Sequence, residues 1–335
     1  MLIKKMLKNL ISIYILLILS FSQTSVFGDN SEFDTWVKNF KTKAIESGVS
    51  KKVVDEVMSD AIFLPKVIGY DRFQPEFYED TYTYIKKRTN KRKVRKGLAL
   101  YKKEKSTIDK IEKEFLIEKE LLLALMGIET NFGNYLGKMD IVSSLATLSF
   151  DKRRSKYFTE ELLTLLKLVD KKILKKESLF GSWAGALGNF QFMPSSIKRH
   201  AIDYDNDGYI DLKKSKHDAI ASAANYINKM GWKQNTPCFN KVNFKKKIDS
   251  KLFNHSAKKI FNKKKISSWK NLGVISTNTE IKKNDFYAGL ILPDGNLESP
   301  KYLVYDNYEI ILKWNRSLRF ALSVCTLAES IKNEL

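Results

Sequence analysis

The chain has 335 residues, 43% of them hydrophobic and 29% charged, which excludes a globally disordered chain and allows one large core or two to three smaller domains. Lys and Arg number 59 against 38 Asp and Glu, a formal charge of +21 that favours an anionic partner such as nucleic acid, acidic lipid headgroups or an anionic polymer. A lysine-rich composition spread over solvated faces accounts for the same number without any partner.

Taken in chain order, Lys4, Lys5 and Lys8 precede an apolar run over residues 10–21, and Val26 and Gly28 suit a small-residue cleavage rule. This layout predicts a signal peptide over residues 1–28, with the mature chain starting near Asp29. The run is short for a spanning helix, and an uncleaved anchor is the alternative. No cysteine lies near the cleavage point, so no lipoprotein attachment is expected, and no later run is long and apolar enough to cross a bilayer. The expected compartment is the periplasm. Export argues against nucleic acid and for an anionic cell-wall polymer as partner.

Residues 33–58 carry helical periodicity through Phe33, Trp36, Val37, Phe40, Ala44, Val53, Val54 and Val57, and Leu64-Pro65 breaks it. Residues 70–77 are aromatic and polar without a clear period, and 86–105 read as an exposed basic helix face. A long helical stretch covers 108–128, with Asn131 and Gly133 as stop signals. Further helices are expected over 158–168 and 218–230, with a glycine-rich loop over 181–188. From about 236 to 300 the periodicity fades and short apolar runs such as 288–292 suggest a β-containing insertion, after which residues 302–327 return to apolar and aromatic character and complete the core. The divisions expected are a helical N-terminal domain over 29–115, a core over 116–234 and 303–335, and a small β-containing domain over 235–302.

Three segments carry groups suited to chemistry. Glu129 ends an apolar helix beside Leu125, Met126, Ile128 and Phe132. Loss of water disfavours a carboxylate and keeps its proton on at higher pH, the property a general acid needs. An ordinary surface glutamate near a helix end is the alternative. Residues 181–195 join glycines, which permit close backbone approach, to Ser182, Asn189 and Gln191 as hydrogen-bonding groups and Trp183, Phe190 and Phe192 as flat apolar faces. A tight turn with core aromatics reads the same way. Asp203, Asp205 and Asp207, with Gly208 at the sixth position, match the opening of a calcium loop, although the twelfth position is Lys214 and Asp218 would have to close a longer one. His200, His217 and His255 stand in no zinc-ligand spacing. Cys238 and Cys325 would be free to pair in an oxidising compartment, but Cys325 lies in an apolar stretch, and a buried thiol fits equally well.

Together, the stretches YDRFQPEF (70–77), GIETNFG (127–133), LATLSF (145–150), RRSKYF (153–158), GSWAGALGNFQFMPSS (181–196), DYDNDGYIDL (203–212) and LVYDNYEIILKWNRS (303–317) resemble the lytic murein transglycosylase B family over most of the chain after the leader. The resemblance implies an α+β, mainly helical fold, with a lysozyme-like core flanked by a helical domain and a small β domain. It implies cleavage of the MurNAc–GlcNAc β-1,4 bond of peptidoglycan glycan strands without water, by a monomer needing no cofactor for catalysis. Glu129 becomes the sole catalytic acid and later the base. Ser182 and Gln191 match positions near that glutamate and the sugar, and Arg154, Tyr226 and Asn315 match positions lining the cleft. A structural calcium ion is implied at Asp203, Asp205, Asp207, the Tyr209 carbonyl and Asp218. The loop before Asp218 is one residue longer than the family pattern, and Phe320 stands where a tyrosine is expected. The alternatives are a hydrolytic muramidase on the same core and a non-catalytic peptidoglycan-binding protein.

Overall fold

Capping chemistry divides the N-terminal half into short helices. α1 (Asn30–Glu46) stops where Gly48 takes φ 88°, and Ser50 restarts the chain as α2 (Lys51–Met58), its side chain accepting from the Val53 N–H. The periodicity over 33–58 therefore belongs to two helices, because a left-handed residue and an N-cap fall between apolar positions that keep the same face. α3 (Pro65–Arg72) opens on Pro65, and Asp80 and Asn90 cap α4 (Thr81–Arg88) and α5 (Lys91–Lys103). The stretch over 108–128 is likewise two helices, α6 (Lys105–Phe115) and α7 (Lys119–Thr130), separated by Leu116 in the left-handed region at φ 55°.

The computed structural model describes residues 30–74, 78–277 and 286–335, so the leader expected over 1–28 lies outside it. At the centre is α7, buried at every position from Leu121 to Gly127, with α14 (Leu318–Lys332) packed along it. α8 (Ile141–Phe150) is buried from Ile141 to Ser149 and packs on α9 (Ser155–Asp170). Two of its buried hydroxyls tie the α2–α3 loop to the core: the Ile62 N–H donates to Ser143 Oγ at 3.1 Å and the Leu64 N–H to Thr147 Oγ1 at 2.9 Å. A two-residue ribbon of β1 (Met139–Asp140) and β2 (Phe180–Gly181), then α10 (Pro194–His200) and α11 (Lys216–Lys229), complete this part.

The strands after residue 236 form one sheet. Its order is β4 (Phe253–Asn254), β7 (Tyr287–Ile291), β8 (Lys301–Val304), β3 (Phe239–Phe244), β6 (Val274–Ser276), with β5 (Lys264–Lys265) also on β7. Pairing is antiparallel except between β4 and β7. One apolar cluster runs through the helices from Phe33 to Ile331, and a second, around Trp269, Leu290, Leu303 and Tyr305, lies under the sheet against α12 (Ile266–Asn271). The chain returns through α13 (Asp306–Trp314) to α14. The fold is α+β and mainly helical. Cys238, just before β3, forms a disulfide with Cys325 of α14, Cα atoms 6.1 Å apart, which resolves the choice the sequence left open.

Candidate active site

α7 ends in a reversal built by three residues in a row. Asn131, Phe132 and Gly133 take φ of 50°, 61° and 81°. The Asn131 N–H donates to Gly127 O at 3.1 Å and the Phe132 N–H to Met126 O at 3.2 Å, satisfying carbonyls the helix end would leave bare. The Phe132 ring folds back over Gly127, where an added Cβ would come within 2.7 Å of the ring. Thr130, buried, donates from Oγ1 to Asn189 O at 2.8 Å and accepts from the Gly133 N–H at 3.0 Å, binding the turn to the glycine-rich loop.

Glu129 projects from this last turn and is half-buried. Its Oε1 accepts a hydrogen bond from the Trp314 indole N–H at 2.9 Å. Trp314 ends α13 and packs against Phe192 at 5.3 Å between centroids and Tyr226 at 5.0 Å, and Tyr226 in turn stacks on His200 at 4.2 Å. The carboxyl is therefore aimed at a wall of aromatic rings contributed by the glycine-rich loop, α11 and α13.

In that loop Gly188, at φ 75°, lies so close to Leu212 that an added Cβ would meet the Leu212 carbonyl at 2.5 Å. Asn189 is wholly buried and structural: its amide donates to Leu212 O at 2.8 Å and Lys213 O at 2.9 Å and accepts from Lys216 Nζ at 2.6 Å. Ser182 Oγ accepts the Ala186 N–H at 3.0 Å and holds its turn closed. Gln191, at φ 50°, donates to Gly188 O at 2.9 Å and Leu136 O at 3.3 Å. Both side chains remain half-exposed.

Tyr226 meets Trp314, and Asn315 follows Trp314 as the half-buried C-cap of α13. Arg154 is engaged elsewhere: its guanidinium donates to buried Asp71 at 3.1 Å, beside Arg153 on the same carboxylate, and lies 4.7 Å from the Phe158 ring. Phe320 is buried. Sequence reasoning missed Trp314 and Asp71. The signal for Trp314 was its indole N–H, which needs a partner once the ring is buried.

Asp203, Asp205 and Asp218 each offer a carboxylate oxygen within 4.8 Å of the others. Asp218 is fully buried, and burial pushes its pKa up while N–H bonds from Asp211 and Tyr204, both 2.8 Å, oppose that. Asp207 stands outside this trio and accepts the Tyr209 N–H at 2.8 Å, while Asp203 accepts from Asp207 and Gly208. Converging hard oxygen donors with a buried anionic member suit a divalent cation such as calcium.

A cavity of about 500 Å³ opens at the opposite end of α7, lined by Glu118, Glu120, Trp232, Phe239 and the disulfide. At 1.5 Å of rise per residue that is roughly 15 Å from Glu129, so the cavity is separate from the aromatic cleft.

Residues 32–329 match the transglycosylase SLT domain. The chain belongs to this family. Membrane-bound lytic murein transglycosylase B of Escherichia coli is 37% identical over 150 residues, 44% of this chain and 41% of that protein, so the match spans less than half of that relative's length. Among solved structures, SltB3 from Pseudomonas aeruginosa in complex with NAG-anhNAM-pentapeptide superposes with TM-score 0.80 at 30% identity, covering 90% of this chain and 79% of that one. Escherichia coli Slt35 in complex with calcium gives TM-score 0.75 at 27% identity, covering 89% and 93%. The resemblance to the transglycosylase B family, drawn from the motifs, is thus borne out over the helical and β parts of the chain together.

Proposed function

We propose that this transglycosylase-family chain is a lytic enzyme of peptidoglycan, cleaving the MurNAc–GlcNAc β-1,4 bond to leave 1,6-anhydro-MurNAc, with Glu129 as its single acid–base group. One observation carries the reading: a half-buried carboxyl on the last turn of a buried helix, held by the Trp314 N–H and facing an aromatic wall. The complex of SltB3 with an anhydro product supports it.

Glu129 first gives its proton to the glycosidic oxygen. The C1–O bond breaks and its electron pair leaves with the GlcNAc hydroxyl. The N-acetyl oxygen of MurNAc closes on the electron-poor C1 and shares the positive charge, as in substrate-assisted glycosidases. The Glu129 carboxylate then takes the proton of the C6 hydroxyl, whose oxygen displaces the N-acetyl group at C1. No water is consumed, and Glu129 ends protonated. The nucleophile is tethered to the reacting ring, which raises its effective concentration. Ser182 and Gln191 contact the sugar near the acid, Tyr226 and Asn315 line the cleft, and Arg154 reaches the substrate with donors that Asp71 leaves over. Asp203, Asp205 and Asp218, with Asp207 and the Tyr209 carbonyl in the same loop, hold a structural calcium ion, as the calcium complex of Slt35 suggests.

The workplace is the periplasm, the partner a glycan strand, and the active form a monomer divided at the boundaries read from the sequence. Glu129→Gln keeps the shape of the side chain and removes its proton chemistry. Digestion of isolated cell walls followed by mass spectrometry should show anhydro-muropeptides from the parent and at most a thousandth of that rate from the variant. Products heavier by one water would make the enzyme a muramidase, and near-parental activity of E129Q would remove Glu129 from the chemistry.

A further inference from the structure

Lys93 is a cation that the reaction above does not use, and it is not on the surface. On α5, Lys91, Arg92 and Arg95 are exposed, whereas Lys93 is half-buried beside buried Val94. Its Nζ donates to the Gly127 carbonyl at 2.6 Å. Gly127 lies two residues before Glu129, and the same carbonyl receives the Asn131 N–H that closes α7. The ammonium thus occupies the negative end of the α7 dipole, where a cation is favoured. Burial, then the charges of Arg88 and Lys96, push its pKa down to about 8, and the Glu129 carboxylate opposes them. The bond to the Gly127 carbonyl and the helix dipole favour its charged form.

Among the described residues, two further cations have partners of their own. Lys216 of α11 is bonded to Asn189, and Arg319 of α14 is bonded to Asp294. α13 meets Glu129 with a neutral donor, the Trp314 indole. A lysine held half-buried among two like charges is costly for the fold, and what it meets there is the helix turn that carries Glu129.

We propose that Lys93 is a positioning residue for Glu129: its ammonium holds the last turn of α7 through Gly127 and favours the ionised form of the Glu129 carboxyl. This rests on Glu129 being the acid–base group. A lone carboxyl must serve in both forms within one turnover. Partial burial alone favours the neutral acid; a cation fixed on the Gly127 carbonyl, two residues before Glu129, favours the carboxylate without giving up a proton itself. The Trp314 N–H, bonded to the carboxyl itself, supports the same form.

The test compares the parent with K93M, K93Q and K93R on a soluble MurNAc–GlcNAc oligomer, reading anhydro product against pH. Losing the cation raises the Glu129 pKa. The alkaline limb of kcat/KM should then move up by roughly half a unit to one unit in K93M and K93Q, with kcat down about tenfold and KM little changed. K93R should restore both. A limb that stays in place in K93M and K93Q while activity falls together with the melting temperature would leave Lys93 a packing residue and overturn the proposal. Should K93M not fold, K93Q against K93R decides, since glutamine keeps a donor without the charge. E129Q is run alongside: an active E129Q defeats the underlying reading, while an inactive E129Q with an unmoved limb defeats the Lys93 proposal alone.

Discussion

At Glu129, the indole N–H of Trp314 donates to a carboxyl oxygen at 2.9 Å. A hydrogen bond to a charged group is worth about 1.5 kcal/mol or more, roughly a factor of ten in an equilibrium constant. Trp314→Phe removes the donor and keeps an aromatic ring against Phe192 and Tyr226. We expect kcat/KM to fall about tenfold with a melting temperature close to that of the parent, and an unchanged kcat/KM would mean the bond does nothing for the reaction. Sequence marked Glu129 through its apolar neighbours on one helix. Trp314 lies 185 residues further on, and no local pattern connects the two.

Among the elements, the helix boundaries follow local chemistry that a periodicity search overlooks. Gly48 with Ser50, and Leu116, cut two apparently continuous helices because the apolar positions resume on a matching face after each break. α8 gave no amphipathic signal at all, since a helix buried on every side has no polar face to set the period. The acidic loop is the opposite case: its spacing and Asp218 as its closing member are visible in sequence, but that Asp218 joins Asp203 and Asp205 while Asp207 stands apart is not, because it depends on the fold of α11 back onto the loop. Calcium at a hundred times its dissociation constant would add about 2.7 kcal/mol to the stability. Scanning calorimetry should show a melting temperature several degrees higher in calcium than in chelator, and Asp218→Asn should abolish the difference. Equal melting temperatures in the parent would argue against a metal at this loop.

For the whole molecule, two of the ties between the sheet and the helices bear on stability. One is the Cys238–Cys325 disulfide to α14. The other is Asp294, after β7, which accepts from the Thr81 N–H at 3.0 Å, Thr81 Oγ1 at 2.6 Å and Arg319 at 2.6 Å, joining α4, the sheet and α14. Burial works to raise the Asp294 pKa, but the bonds from Thr81 and Arg319 outweigh it and hold it below the ordinary value. The sign follows: the contribution is complete above the unfolded-state pKa near 4 and is lost as pH falls through the lower folded value. Asp294→Asn should cost about 2 kcal/mol at pH 7, and less as acid protonates the parent, read as a narrowing gap in denaturation midpoint between pH 7 and pH 3. A gap independent of pH would show that the charge is not what ties the three segments.

Composition, short motifs and local order determined the mainly helical class, the position of the β-bearing stretch, the acid at a helix end and the acidic loop, because each is a property of residues near one another in the chain. Only the tertiary structure decided that Trp314 and Lys93 meet the turn that carries Glu129, that Asp71 occupies Arg154, and that the two cysteines pair. Those contacts join positions tens to hundreds of residues apart, and their geometry is set by how buried helices pack rather than by any spacing along the chain.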